Sequence, residues 1–166
     1  FKNNNINIGI IYRNYEDPRR ERELIKIAKA CKKNNFKLFV SNDFKLAIKV
    51  KADGIYIPAF NQRSNFCNLE KRNIVIIGSA HNQREIHKKI RQKCNAIFLA
   101  PLFKSKKKKF LGIHKFNFLS KGNKIDFYAL GGINESNIKK LKMLSIKGFG
   151  GIEMFKKKPA YKRPVF

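Results

Sequence analysis

Residues 127–141 read FYALGGINESNIKKL: a short apolar strand that runs straight into two glycines and then into a helical pattern. Gly131 and Gly132 let backbone N–H groups come close to an anion at the strand end. Asn134 offers an N-cap for the helix that follows, and Ile138 and Leu141 give that helix an inward face. A helix dipole would add positive potential at the same place. A βα protein grips a phosphate in this way, although Gly-Gly is also simply a tight turn, and on loop chemistry alone both readings stand.

The same strand-then-helix alternation continues on either side. INIGIIYR (6–13) reads as a strand, after which Asp17 and Pro18 supply an N-cap and a first-turn proline. Leu24, Ile27, Ala28 and Cys31 then fall at i, i+3, i+4 and i+7, one face of a helix. KLFV (37–40) is the next strand, ending at Ser41, Asn42 and Asp43 ahead of a short helix through 46–50. GIYI (54–57), NIVIIG (73–78), AIFLA (96–100), FYAL (127–130) and GGIEMF (150–155) complete a set of seven. A loop of about a dozen residues lies around 61–68, and the helix after the fourth strand is expected to turn Ile86 and Ile90 inward. Continuous apolar strands separated by crossovers imply a parallel sheet covered on both faces. A doubly wound sheet or a (βα) barrel short of one unit would both satisfy the pattern. In either, chemistry collects at the C-terminal strand ends: Arg13, Asn42, Asp43, Ser79, His81, the loop at 101–109 and the paired glycines.

Composition narrows the function classes. The 166 residues include no apolar run near the ~20 needed to span a bilayer, and no secretory signal is visible, so a cytoplasmic protein is expected. Cys31, Cys67 and Cys94 form no CxxC pair and read as free structural thiols of a reducing compartment. His81, His87 and His114 lack zinc-site spacing; the last two read as surface or packing residues. The formal charge of +27 suggests nucleic acid, yet the lysines are scattered, and Asn, Ile and Phe are abundant as AT-rich codons would make them. No specific nucleic-acid partner is expected, while nonspecific polyanion binding at low salt is. The exceptions to the scatter are the runs at 106–109 and 156–158, placed where phosphate-binding loops are expected, and basic aromatic-bearing segments such as KFNFLSK (115–121).

Four stretches, SNDFKLAIKVKADGIYI (41–57), IIGSAHNQREI (76–86), AIFLAPLFKSKKKKFLG (96–112) and YALGGINESNIKKL (128–141), together resemble thiamine phosphate synthase and its TenI-type relatives. They occur in family order and spacing from about residue 8 to 155. The resemblance implies an α/β fold, a (βα)8 TIM barrel lacking its first βα unit in this chain, with seven strands and the missing unit before Phe1. Residues 1–155 would be the barrel and 156–166 a basic C-terminal tail. The implied reaction joins an aminopyrimidine methyl diphosphate to a thiazole ethyl phosphate and releases pyrophosphate, with Mg²⁺ on the leaving group. By resemblance Asp43 is the first metal ligand, Asn42, Ser79 and Lys108 are diphosphate contacts, and Arg13 stands where the family uses an arginine. Ser105, Gly131 or Gly132 and the backbone around Phe155 and Lys156 would cup the thiazole phosphate.

Departures from the family pattern concentrate in the other half of the pocket. Ile11 and Tyr15 stand where the synthases carry a pyrimidine-reading glutamine and a diphosphate lysine, and Asn61 stands at or near the second metal carboxylate. A neutral amide binds Mg²⁺ less well than a carboxylate. The thiazole-phosphate half is thus the better kept, which also suits a TenI-type tautomerase with His81 as proton shuttle. A noncatalytic barrel that binds phosphorylated ligands or polyanions is the third class. Each residue has a plainer role as well: Asp43 as the cap of the next helix, Ser79 as a strand-end hydroxyl, His81 as a helix cap, Arg13 paired with Glu16 or Asp17. Glu153 is the one further carboxylate to check against Asp43. Partners are expected to be small phosphorylated thiazole and pyrimidine molecules, no membrane, and, on terms the sequence leaves open, further copies of the chain in a homo-oligomer.

Overall fold

The computed structural model describes residues 8–63, 73–105 and 109–151. Its strands are β1 (Gly9–Tyr12), β2 (Lys37–Ser41), β3 (Gly54–Ile57), β4 (Val75–Ala80), β5 (Ala96–Leu99), β6 (Asp126–Leu130) and β7 (Gly148–Gly150). All pair in parallel in the strict order β1 to β7. A doubly wound sheet reverses its order at a switch point, and this one never does. The chain therefore forms a curled, seven-stranded portion of a TIM-like barrel, with β1 and β7 at its edges among the described residues. The seventh strand starts earlier than GGIEMF suggests, because Gly150 is already in register with Leu130. Residues 152–155, the tail at 156–166, Lys106 to Lys108, Cys67 and Glu153 lie outside the described residues.

Alternate strand residues point to opposite faces. Outward positions such as Val40, Ile55, Ile57, Ile76, Ile97, Leu99 and Ala129 form the main core beneath the helices. Inward positions Ile11, Phe39, Tyr56, Ile77, Phe98 and Tyr128 line the concave side. Phe98 links its neighbours there, its ring centre 6.4 Å from Tyr56 and 5.3 Å from Tyr128. Asp53 locks the second crossover by accepting from Leu38 N and Lys37 Nζ, both at 2.9 Å.

The helices are α1 (Arg20–Lys33), α2 (Phe44–Lys49), α3 (Gln83–Arg91) and α4 (Gly112–Ser120). Leu24 and Cys31 are buried on α1 and Ile27 and Ala28 pack beside them, as the spacing predicts. Its start differs: Asp17 Oδ1 accepts from Arg19 N at 2.7 Å in a turn, so the helix begins at Arg20 with no side-chain cap. In α3 Ile86 is buried but Ile90 faces out, and Lys89 takes the inward position instead. After Gly132 the expected α-helix is a turn followed by a 3₁₀ helix, Ile138–Met143. Asn134 accepts from Ser136 N and Asn137 N in that turn, while Asn137 is the residue at the N-cap. Leu141 is buried and Ile138 packs inward, but six residues of 3₁₀ helix give little dipole to the glycine turn.

Candidate functional site

Because every strand runs the same way, their C-terminal ends share one rim, and the loops after β5 and β6 are joined there. Leu102 N donates to Leu130 O at 2.8 Å and Phe103 N to Gly131 O at 3.0 Å. Gly131 and Gly132 have φ of 93° and 70°, a region that favours glycine. Space demands glycine as well. A Cβ on Gly132 would lie 2.4 Å from Phe103 O and 2.7 Å from Lys104 O, and one on Gly131 would lie 2.8 Å from Pro101 Cβ. The turn is thus packed directly on the segment that ends at Lys104 and Ser105, and the chain follows the cis Ala100–Pro101 peptide into that contact. These elements bring Gly131 and Gly132 against the backbone of Pro101 to Lys104, which leads into Ser105. Phe155, Lys156 and Lys108, assigned to the same rim from sequence, fall outside the described residues.

Asp43 does cap a helix. Its Oδ1 accepts from Leu46 N at 2.9 Å, which starts α2 at Phe44, and its Oδ2 lies 3.4 Å from Arg20 Nη1. Among the described residues Arg20 Nε and Nη2 are buried without a hydrogen-bond partner, and the guanidinium's ion pair there is with Asp43. Asn42, with φ of 58°, turns the chain from β2 toward α2 and accepts through Oδ1 from Asn61 Nδ2. Asn61 therefore bonds the residue next to Asp43 in the chain.

Below Asn61 lies a group that the sequence reading passed over. Lys89 is fully buried, and its Nζ donates to Pro58 O at 2.8 Å, Asn61 O at 3.1 Å and Gln92 Oε1 at 2.8 Å. Gln92, also fully buried, donates to Asn61 O and Arg63 O. Burial pulls the Lys89 pKa down to about 8 and pushes the neighbouring Cys94 thiol up to about 12. The signal was available in spacing, since Lys89 stands three residues after Ile86 and shares its face. A charged residue on an apolar stripe is ordinarily a stem reaching for solvent.

Arg13 extends from the end of β1 over the concave side, with Cζ 5.5 Å from the Tyr56 ring centre. It is not paired with Glu16 or Asp17; Asp17 has Arg19 at 3.8 Å. Ser79 is buried on β4 and hydrogen-bonded to the Tyr56 phenol, whose pKa is raised chiefly by burial. Tyr15 bonds Ser41 Oγ through its hydroxyl, so the residue in the lysine position closes onto the end of β2. His81, at the end of β4, donates from its backbone N to Glu85 Oε2 at 2.7 Å and places Nδ1 2.8 Å from the same oxygen. Burial alone would raise the Glu85 pKa, but the hydrogen bonds from His81 outweigh it and hold the carboxyl below its usual value. Asn82 caps α3 by accepting from Glu85 N, and Glu85 Oε1 takes a bond back from Asn82 Nδ2. His87 and His114 are exposed, and Cys31 and Cys94 are free and buried.

Magnesium asks for several oxygen ligands in octahedral array. Asp43 has both carboxylate oxygens engaged, and Asn61 directs its amide N–H at Asn42 while its Oδ1 accepts from Arg63 N. Among the described residues no group of three His, Cys, Asp or Glu side chains is placed to hold a metal ion. The described donors do not fit a resident Mg²⁺ of the kind implied by the resemblance. No helix of the described residues is long and apolar enough to cross a membrane.

Comparison with known proteins places the chain among relatives of one family. Thiamine-phosphate synthase from Prochlorococcus marinus subsp. pastoris is 35% identical over 125 residues, 73% of this chain. The chain spans only 36% of that relative's length. Thiamine-phosphate synthase from Dictyoglomus turgidum is 30% identical over 148 residues, 83% of this chain and 65% of the relative. Among solved structures, a thiamine phosphate pyrophosphorylase from Pyrococcus furiosus superposes with a TM-score of 0.69 at 19% identity. That match covers 87% of this chain and 71% of the other, and it shows the fold. A family model described as thiamine monophosphate synthase matches residues 6–155, and the chain belongs to that family.

Proposed function

We propose that this chain works in thiamine biosynthesis as a thiamine phosphate synthase, joining a pyrimidine methyl diphosphate to a thiazole ethyl phosphate. One observation carries the reading: the glycine turn after β6 is hydrogen-bonded to the loop after β5, so that backbone donors and the Ser105 segment share one corner of the rim. That corner takes the thiazole phosphate, and Arg13, Asn42 and Ser79 contact the diphosphate. The resemblance assigns Phe155 and Lys156 to the first group and Lys108 to the second, all three outside the described residues. The C–O bond to the departing diphosphate breaks with its electron pair going to pyrophosphate, and the thiazole nitrogen lone pair forms the new C–N bond. Stabilising charge on the leaving oxygens then falls to this chain's own cations. Asp43 serves as cap and as partner of Arg20. Incubating the protein with both substrates should release pyrophosphate and thiamine phosphate in equal amounts. Release of neither overturns the proposal.

The His81–Glu85 contact favours a second reading, thiazole tautomerisation. A carboxylate on Nδ1 orients the ring and leaves Nε2 to move a proton. Under this reading the thiazole substrate alone is converted, and His81→Ala abolishes the conversion.

A further inference from the structure

We infer that Lys89, together with Gln92, is a positioning residue: a buried ammonium that pins the loop after β3 from beneath and so fixes the Asn61 side chain against Asn42. The inference rests on the proposed placing of the diphosphate at the Asn42 corner of the rim.

An ammonium has three protons, and Lys89 has three acceptors, two of them main-chain carbonyls of the segment that follows β3. Gln92 satisfies its own amide group completely, accepting from Lys89 and donating to Asn61 O and Arg63 O. The Asn61 carbonyl thereby receives two donors from α3 and its flank. On the same residue the side chain reaches the other way, donating to Asn42 Oδ1 and accepting from Arg63 N. The backbone of Asn61 is held from below and its amide is presented above.

Room for the lysine stem is provided by Gly78. A Cβ there would stand 2.8 Å from Lys89 Cδ and 2.9 Å from Cys94 Sγ. Three features of β4 and α3 thus agree on one path: glycine at 78, lysine at 89, glutamine at 92. A charge buried merely for packing gains nothing over an apolar side chain of similar volume. Here it supplies directed donors to loop carbonyls that the sheet itself does not reach.

The test uses Lys89→Met, which keeps most of the stem and removes the donors, with Gln92→Leu as a second variant should the first not fold. The probes are the side-chain amide NMR signals of Asn42 and Asn61, and titrations with pyrophosphate and with inorganic phosphate. Either variant is expected to shift or broaden both amide signals and to weaken pyrophosphate at least tenfold, leaving inorganic phosphate at the glycine turn unchanged. Unchanged amide signals overturn the inference, as does an equal loss of both anions. If wild-type protein binds no pyrophosphate, the diphosphate assignment fails, and the amide signals still decide whether Lys89 positions Asn61.

Discussion

Gly132 carries the tightest steric demand in the candidate site. Its φ is 70°, and any Cβ would meet two carbonyl oxygens of the neighbouring loop at 2.4 and 2.7 Å. Gly132→Ala is expected to destabilise the fold by about 1–3 kcal/mol through backbone strain and displacement of that loop. Urea denaturation measures the loss, and phosphate affinity should fall with it. The glycines were legible as residues because a strand end followed by Gly-Gly is a pattern with few physical explanations. Asp43 was legible as a choice between cap and ligand, and coordinates show the cap. Arg20 was not legible: nothing in RRERE distinguishes the arginine that reaches Asp43 from those that stay in water.

Among the elements, the strands were the clearest, because five of the seven are short apolar runs bounded by turn residues. Helix ends were less so, since Asp17 formed a turn ahead of α1 instead of capping it. The segment at 115–121 looked like a basic aromatic stretch and is the body of α4, with Phe116 and Leu119 buried and Phe118 80% exposed. Asp53 offers a test of how β2 is tied to β3. Burial would raise its pKa, but the bonds from Leu38 N and Lys37 outweigh it and hold the carboxyl below its ordinary value. A depressed carboxylate stabilises the fold above its unfolded pKa, and that contribution is lost as pH falls through the folded value. Asp53→Asn should therefore cost about 1–2 kcal/mol at pH 7 from weakened hydrogen bonds. The gap between wild type and variant should narrow below pH 4, measured by urea denaturation at each pH. A gap that widens on acidification would reverse the sign of this linkage.

At the scale of the whole molecule, two properties bear on the proposed phosphate ligands: parallel strands whose C-terminal ends share one rim, and a formal charge of +27. They separate by salt. Binding to a generic polyanion such as heparin should weaken steeply as salt rises, with log affinity linear in log salt. The proposed function predicts a much shallower slope for thiazole phosphate in the same titration, since directed backbone donors depend less on salt than diffuse charge does. The strand order that selects the barrel was not legible in the local pattern, because repeated βα units look the same in both parallel folds; the family resemblance of the four stretches pointed to the barrel, and the pairing bears it out. The rim that follows from that order is best examined by a crystal structure grown with thiazole ethyl phosphate. Phosphate oxygens about 3 Å from backbone nitrogens of the Gly131–Gly132 turn are the predicted result, and phosphate density anywhere else on the molecule would contradict it.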